Sequence, residues 1–117
     1  MVLSNSAVNL SEGLMVTGLK NTAQALNDGL VRRLLICANL APSAGWQCRD
    51  CLALCTEMDV QPEKCPYCGS TQIYATDLKT EMIARAYQLG CAIEIMSRSP
   101  ELERVGGIGA FLYEGRL

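Results

Sequence analysis

Apolar positions along the chain change period several times, and each change marks an element. Leu14 to Thr17 is a short apolar run closed by Gly18, the pattern of a strand. From Leu19 the spacing lengthens. Leu19, Ala23, Leu26 and Leu30 recur at helical intervals, Lys20, Gln24 and Asn27 fall between them, and Gly29 sits just past the helix end. Arg33 to Cys37 is apolar after its first residue and predicts a strand buried on both faces. Strand, helix, strand in this order favours a parallel pair with a crossover helix. Farther on, Asp77 is a good N-cap, Leu78, Met82, Ala86 and Leu89 keep the helical period, and Gly90 ends it. Cys91 to Met96 predicts a third strand with Glu94 as its polar interruption. Ser99-Pro100 opens a short helix with a cap and a first-turn proline, ending before Gly106-Gly107. Ile108 to Tyr113 predicts the last strand.

These elements predict an α/β domain with a mixed sheet of about four strands, helices 19–28 and 78–89 on its faces. Leu26, Leu34, Ile36, Ile83, Ile93, Ile95 and Ile108 are the expected core. Residues 1–13 are polar and read as a flexible lead-in, leaving 14–117 as a single domain.

The stretch 45–74 breaks the pattern. Trp46-Gln47-Cys48-Arg49-Asp50-Cys51 is followed after thirteen residues by Cys65-Pro66-Tyr67-Cys68-Gly69. Two Cys-x-x-Cys pairs at this distance match a closed four-thiolate zinc site, with Cys48, Cys51, Cys65 and Cys68 as ligands. Gly69 is expected at positive φ and Pro66 stiffens the turn. Cys51 and Cys55 form an alternative pair, but Cys48 and Cys51 repeat the spacing of the second pair, which makes Cys55 a spectator. Cys37 and Cys91 lie in apolar runs and read as core residues. Trp46 is expected to cover one side of the metal, and Ile73 and Tyr74 another. The stretch is too short to hold its own core, so it reads as a knuckle inserted into the domain and stabilised by zinc. As a local module it would leave the sheet folded when the metal goes, and would present Gln47, Arg49, Asp50 and Tyr67 to a partner.

Composition narrows the function. The 117 residues are half hydrophobic but only 5% aromatic, so the core must come from aliphatic residues. Net charge is −2, and four thiolates on one zinc would take it to about −4. That balance argues against non-specific nucleic-acid binding, which rests on neutralising phosphates. The chain has no histidine, so no Ser-His or Cys-His pair exists, and four cysteines close the coordination position a catalytic zinc keeps open. No catalytic constellation emerges. Gly106, Gly107 and Gly109 read as a tight turn; Arg32 and Arg33 read as a solvated junction. The first residues show no signal peptide and no apolar run is long enough to span a bilayer. Thiolate–zinc ligation suits a reducing cytoplasm.

Three segments carry a resemblance: Val16-Thr17-Gly18-Leu19 through Leu34-Leu35-Ile36, Gly45-Trp46-Gln47-Cys48 through Cys65-Pro66-Tyr67-Cys68-Gly69, and Gly106-Gly107-Ile108-Gly109-Ala110. In this order the chain resembles the C-terminal domain of archaeal and eukaryotic-type class 1 peptide-chain release factors and Pelota, with their bacterial and archaeal relatives. The resemblance spans about residues 14 to 114. It implies an α/β/α sandwich of the ribosomal-protein and kink-turn-binder type. It also implies a non-catalytic role in translation, contacting the ribosome or a translational GTPase. The Gly-Gly-Gln tripeptide of peptide release belongs to another domain, and here Gly106-Gly107 is followed by Ile108. The chain departs from the family at Phe111-Leu112-Tyr113-Glu114, where a basic residue is usual. It also lacks the Asn-Glu pair of kink-turn binders, having Lys20-Asn21-Thr22. A small RNA-binding protein of the same fold is the second expectation, and a zinc-stabilised scaffold for an unrelated partner the third.

Overall fold

The computed structural model describes residues 2–4, 14–56 and 61–113. Its strands and helices follow the periods of the sequence closely. In chain order they are β1 (Val2–Ser4), β2 (Met15–Thr17), α1 (Leu19–Asn27), β3 (Val31–Cys37), β4 (Ala44–Cys48) and β5 (Leu54–Cys55). There follow β6 (Ile73–Asp77), α2 (Leu78–Gln88), β7 (Ala92–Met96), α3 (Pro100–Arg104) and β8 (Ile108–Leu112).

The main sheet is mixed, with strand order β1-β7-β3-β8-β2. The fifth strand is β1, which pairs in parallel with β7, Val2 opposite Glu94 and Ser4 opposite Met96. Part of the expected lead-in is thus an edge strand; the rest of 1–13 lies outside the described residues. β3 runs parallel to β7, while β8 is antiparallel to both β3 and β2. β2 and β3 therefore point the same way, as the strand–helix–strand order predicts, but β8 lies between them. Gly109 makes that insertion possible, since a Cβ there would stand 2.9 Å from the Val16 carbonyl oxygen.

Strand alternation sorts the core into two layers. Leu34, Ile36, Ile93, Ile108, Ala110 and Leu112 face one side and meet Ala23 and Leu26 of α1 and Leu78, Met82 and Ala86 of α2. Leu35, Cys37, Met96 and Phe111 face the other, where Leu102 of α3 closes over them. The sandwich is α/β/α, but α1 and α2 share one face and α3 covers the second. Of the expected core, Leu26, Leu34, Ile36, Ile93 and Ile108 are buried, and Ile83 and Ile95 pack partly buried against them. Arg32 is not a junction residue: a register shift between Val31 and Arg33 leaves it exposed on β3, 5.7 Å above the Phe111 ring, while Arg33 pairs with Glu94 at 2.9 Å.

The inserted stretch forms a separate three-stranded ribbon, β5-β4-β6, all antiparallel. β6 runs straight into α2, so Asp77 ends the strand and caps the helix. Its carboxylate accepts from the Thr80 N–H at 3.3 Å, the Thr80 hydroxyl at 2.7 Å and the Ser43 N–H at 2.8 Å. Gly45 lies on Leu78: a Cβ there would sit 2.5–2.7 Å from three Leu78 side-chain carbons. Lys79 donates to the carbonyls of Leu40 at 2.7 Å and Ala38 at 3.2 Å, holding the loop that leads into the ribbon. No helix among the described residues is long and apolar enough to cross a membrane.

Candidate metal centre

The two Cys-x-x-Cys segments fold into the same turn. In the first, the Leu52 N–H donates to the Cys48 carbonyl at 3.0 Å, and the Cys48 N–H donates to the Ala53 carbonyl at 3.0 Å. In the second, Gly69 donates to Cys65 at 2.9 Å and Cys65 to Ser70 at 2.8 Å. The residue after each second cysteine takes a positive φ, 67° at Leu52 and 78° at Gly69. Gly69 was legible as such a position; Leu52 was not, because nothing about leucine signals a left-handed turn.

These turns bring together the sulfurs of Cys48, Cys51, Cys65 and Cys68, all within 4.8 Å of one another. The shortest approaches cross between the turns, Cys48 to Cys68 and Cys51 to Cys65, each 3.6 Å. A disulfide would need about 2.05 Å, and all seven cysteines are free. Tetrahedral zinc with bonds of about 2.3 Å sets its sulfurs about 3.8 Å apart, so the spacing fits a metal-ion tetrahedron.

The amides are arranged for thiolates as well. Cys48 Sγ accepts from the backbone of Asp50 and Cys51, Cys51 from Ala53, Cys65 from Tyr67 at 3.4 Å, and Cys68 from Ser70. Each sulfur thus receives the N–H two residues ahead. Burial pushes the Cys48 thiol up, but the Cys51 and Asp50 amides and the neighbouring thiols outweigh it and bring it down to about 7. Cys51 is pushed up to about 12, first by burial and then by its sulfur neighbours, against the pull of the Ala53 amide. Crowding of the sulfurs thus draws the Cys48 thiol down while it helps to push Cys51 and Cys68 up. A dication held by Cys48, Cys51, Cys65 and Cys68 would let all four ionise, which is the usual coupling of metal binding to proton release.

The surroundings are dry on one side. Trp46 and Ile73 pack around Cys48, Ala53 and Cys65, as expected. Tyr74 does not: strand alternation turns it to the other face, beside Gln47, where its hydroxyl donates to Gln47 Oε1 and its ring lies 4.6 Å under the Arg49 guanidinium. Gln47 is buried and also donates to the Leu52 carbonyl at 3.1 Å, so it is not presented to a partner. Arg49, Asp50 and Tyr67 are exposed. Ser70 donates to Asp50, and the Arg49 N–H donates to the Gln72 carbonyl at 2.8 Å, tying the two turns together.

The remaining cysteines stand apart from the group. Cys37 is buried under α3, and burial first, then Glu103, pushes its thiol up. Cys91 donates to the Val31 carbonyl at 3.2 Å. Cys55 is buried at the end of β5, where burial and the charge of Cys65 and Cys48 push its thiol up. Gly106 and Gly107 form a turn at φ 105° and 80°. The Gly107 carbonyl accepts from the Cys37 N–H at 2.8 Å, which places the start of β8 beside β3.

No protein-family model matches the chain, and no curated protein matches it. Among solved structures it is similar to the C-terminal domain of a peptide chain release factor from Methanosarcina mazei. That likeness has 20% sequence identity, covers 86% of this chain and 69% of that one, and has a TM-score of 0.49. It is a likeness of fold, and assigns neither family nor activity.

Proposed function

We propose that the chain is a zinc-stabilised, non-catalytic interaction domain of the release-factor C-terminal type, acting in the cytoplasm by contacting the ribosome or a translational GTPase. Cys48, Cys51, Cys65 and Cys68 are its zinc ligands, and 45–74 is the inserted zinc ribbon of one domain whose main sheet also takes in the edge strand β1. The observation that carries the zinc half is the four sulfurs, each with a backbone N–H, at tetrahedral spacing. When bound, zinc supplies the charge that lets four thiolates coexist and cross-links two turns that have little core between them. A four-thiolate centre has no open position, so it holds structure instead of activating water.

The translational half is supported by the three sequence segments that resemble release factors, 16–36, 45–69 and 106–110. It is also supported by the ribbon, which displays Arg49, Asp50 and Tyr67 on a frame fixed at both turns. Metal analysis should find about one zinc per chain, lost in Cys48→Ser; stoichiometric zinc after losing both Cys65 and Cys68 sinks the ligand assignment. Co-sedimentation with ribosomal subunits, and capture of a translational GTPase, test the partner. If neither binds while ribosomal RNA binds with a steep salt dependence, the RNA-binding alternative replaces it.

A further inference from the structure

The four sulfurs of the candidate metal centre are also arranged two by two. Cys48 lies 3.6 Å from Cys68, Cys51 lies 3.6 Å from Cys65, and the two contacts share no sulfur. Both run between the turns, so both can close at once. Each joins a buried sulfur to one that solvent reaches: Cys48 and Cys65 are buried, Cys68 is exposed and Cys51 is half-buried. An accessible thiol that meets the oxidant, with a neighbour placed to resolve it, is the usual layout of a redox pair. Closing 3.6 Å to the roughly 2.05 Å of a disulfide moves each sulfur by about 0.8 Å. The turns are also tied by bonds that use no metal, since the Arg49 N–H donates to the Gln72 carbonyl at 2.8 Å and Ser70 donates to Asp50. Cys37, Cys55 and Cys91 lie outside the group.

We propose that the four-cysteine cluster is a site of reversible oxidation by hydrogen peroxide, which closes it as two disulfides between the knuckles, Cys48–Cys68 and Cys51–Cys65. In each pair the accessible sulfur attacks the peroxide O–O bond, becomes a sulfenic acid and releases one water. The buried thiol then attacks that sulfur, the S–S bond forms and a second water leaves. Two thiols lose two electrons and two protons to one peroxide, so the cluster consumes two peroxides and releases four waters. The disulfides cross-link the same two turns that a metal would. Sulfurs paired in this way take up no metal until a thiol reductant returns their protons and electrons. The inference concerns the same cluster as the zinc reading but needs only its four sulfurs, so the two can fail separately.

Trypsin cuts after Arg49 and Lys64, which puts Cys48, Cys51 and the Cys65/Cys68 pair on three separate peptides. The full chain is treated with hydrogen peroxide, as isolated and after chelation, then alkylated, digested and mapped by mass spectrometry. The two bonds together should join all three peptides into one species that a reductant separates, with Cys37, Cys55 and Cys91 alkylated. A Cys65/Cys68 peptide that carries its own disulfide and no link overturns the proposal, because the knuckles then close within themselves. Cys68→Ser should keep only a link between the second and third peptides, and Cys65→Ser only one between the first and third. The reverse links mean Cys48–Cys65 and Cys51–Cys68, and overturn the proposed pairing. If either variant fails to fold, fragment ions of the wild-type species assign the same bonds. The oxidised chain should take up no zinc and the re-reduced chain should take it up again. A chain that forms both bonds but binds no zinc in any state refutes the zinc reading and leaves this inference standing. One that binds zinc, yet after chelation and peroxide yields only free thiols or sulfinic acids, does the opposite.

Discussion

The Asn27 side chain exchanges two hydrogen bonds with the backbone of Leu54: Nδ2 donates to the Leu54 carbonyl at 2.8 Å and the Leu54 N–H donates to Oδ1 at 2.8 Å. The amide acts as one more strand on the free edge of β5, fastening the ribbon to the last turn of α1. Truncating it leaves a partly buried donor and acceptor unsatisfied, which costs about 1–3 kcal/mol. Asn27→Ala should lower the urea midpoint accordingly with an unchanged slope. An unaltered midpoint would show that the two bonds are replaced by water at no cost.

The same fastening revises what metal removal does. Leu54 is buried in the main core with Ala23 and Leu26, Gly45 receives Leu78, and Asp77 joins Ser43 to α2. A ribbon connected at three points is not the local module the sequence suggests. Chelation should lower the melting temperature followed by helical circular dichroism, and not only disturb signals from the ribbon. A helical transition that stays in place while Trp46 fluorescence changes would restore the local-module picture.

Much of this arrangement is legible from residue order, and the exceptions have physical reasons. Helical spacing from Leu19 and Leu78, the Asp77 cap and the paired cysteines are local signals, and local structure follows them. The sharing of one sheet face by α1 and α2 is not local; it depends on where β8 inserts, which the close approach at Gly109 permits but no period encodes. Val2–Ser4 is too short to show alternation. Gln47 looks like a surface residue until the ribbon forms, and then strand alternation places it between Tyr74 and Leu52. Asn27 reads as the polar face of a helix because its partner lies 27 positions away.

Gly45 and Leu78 should behave as a coupled pair. Gly45→Ala forces a methyl into the Leu78 side chain, and overpacking of this kind costs about 1–3 kcal/mol. Leu78 is fully buried, so Leu78→Ala alone should cost about 2–5 kcal/mol. The double variant should be less destabilised than the sum of the two, because the new methyl fills part of the space that Leu78 leaves. Strict additivity in denaturant titrations would contradict direct packing between them.

Asp77 gives the stability a pH dependence of known sign. Its bond with the Thr80 hydroxyl, and then the Ser43 N–H, holds its carboxyl below the ordinary carboxylate value. A depressed folded-state value means that its contribution is complete above the unfolded value of about 3.9 and fades as pH falls through the lower folded value. Asp77→Asn keeps one acceptor but turns an NH₂ group toward a donor, so it should be less stable than wild type at neutral pH. The gap should close as the solution is acidified below about pH 4. A gap that persists at the lowest pH would assign the loss to packing and not to charge.

Gly69 tests how far the two knuckles are equivalent. It occupies the place that Leu52 holds in the first turn, with the same bond back to the first cysteine and a similar positive φ. Leu52 shows that an L-residue is tolerated there. A Cβ added at Gly69 meets nothing within 4 Å, so Gly69→Ala carries only the backbone cost. That cost is about 1–2 kcal/mol for a left-handed L-residue. It is offset in part by the roughly 0.4–1 kcal/mol that alanine gains by stiffening the unfolded chain. The variant should fold, retain one metal per chain, and lose on the order of 1 kcal/mol in denaturant titration. Loss of the metal at this substitution would mean that the Ser70 amide, which reaches Cys68 only through the turn at Gly69, depends on glycine in a way that the first knuckle's Ala53 amide and Leu52 do not.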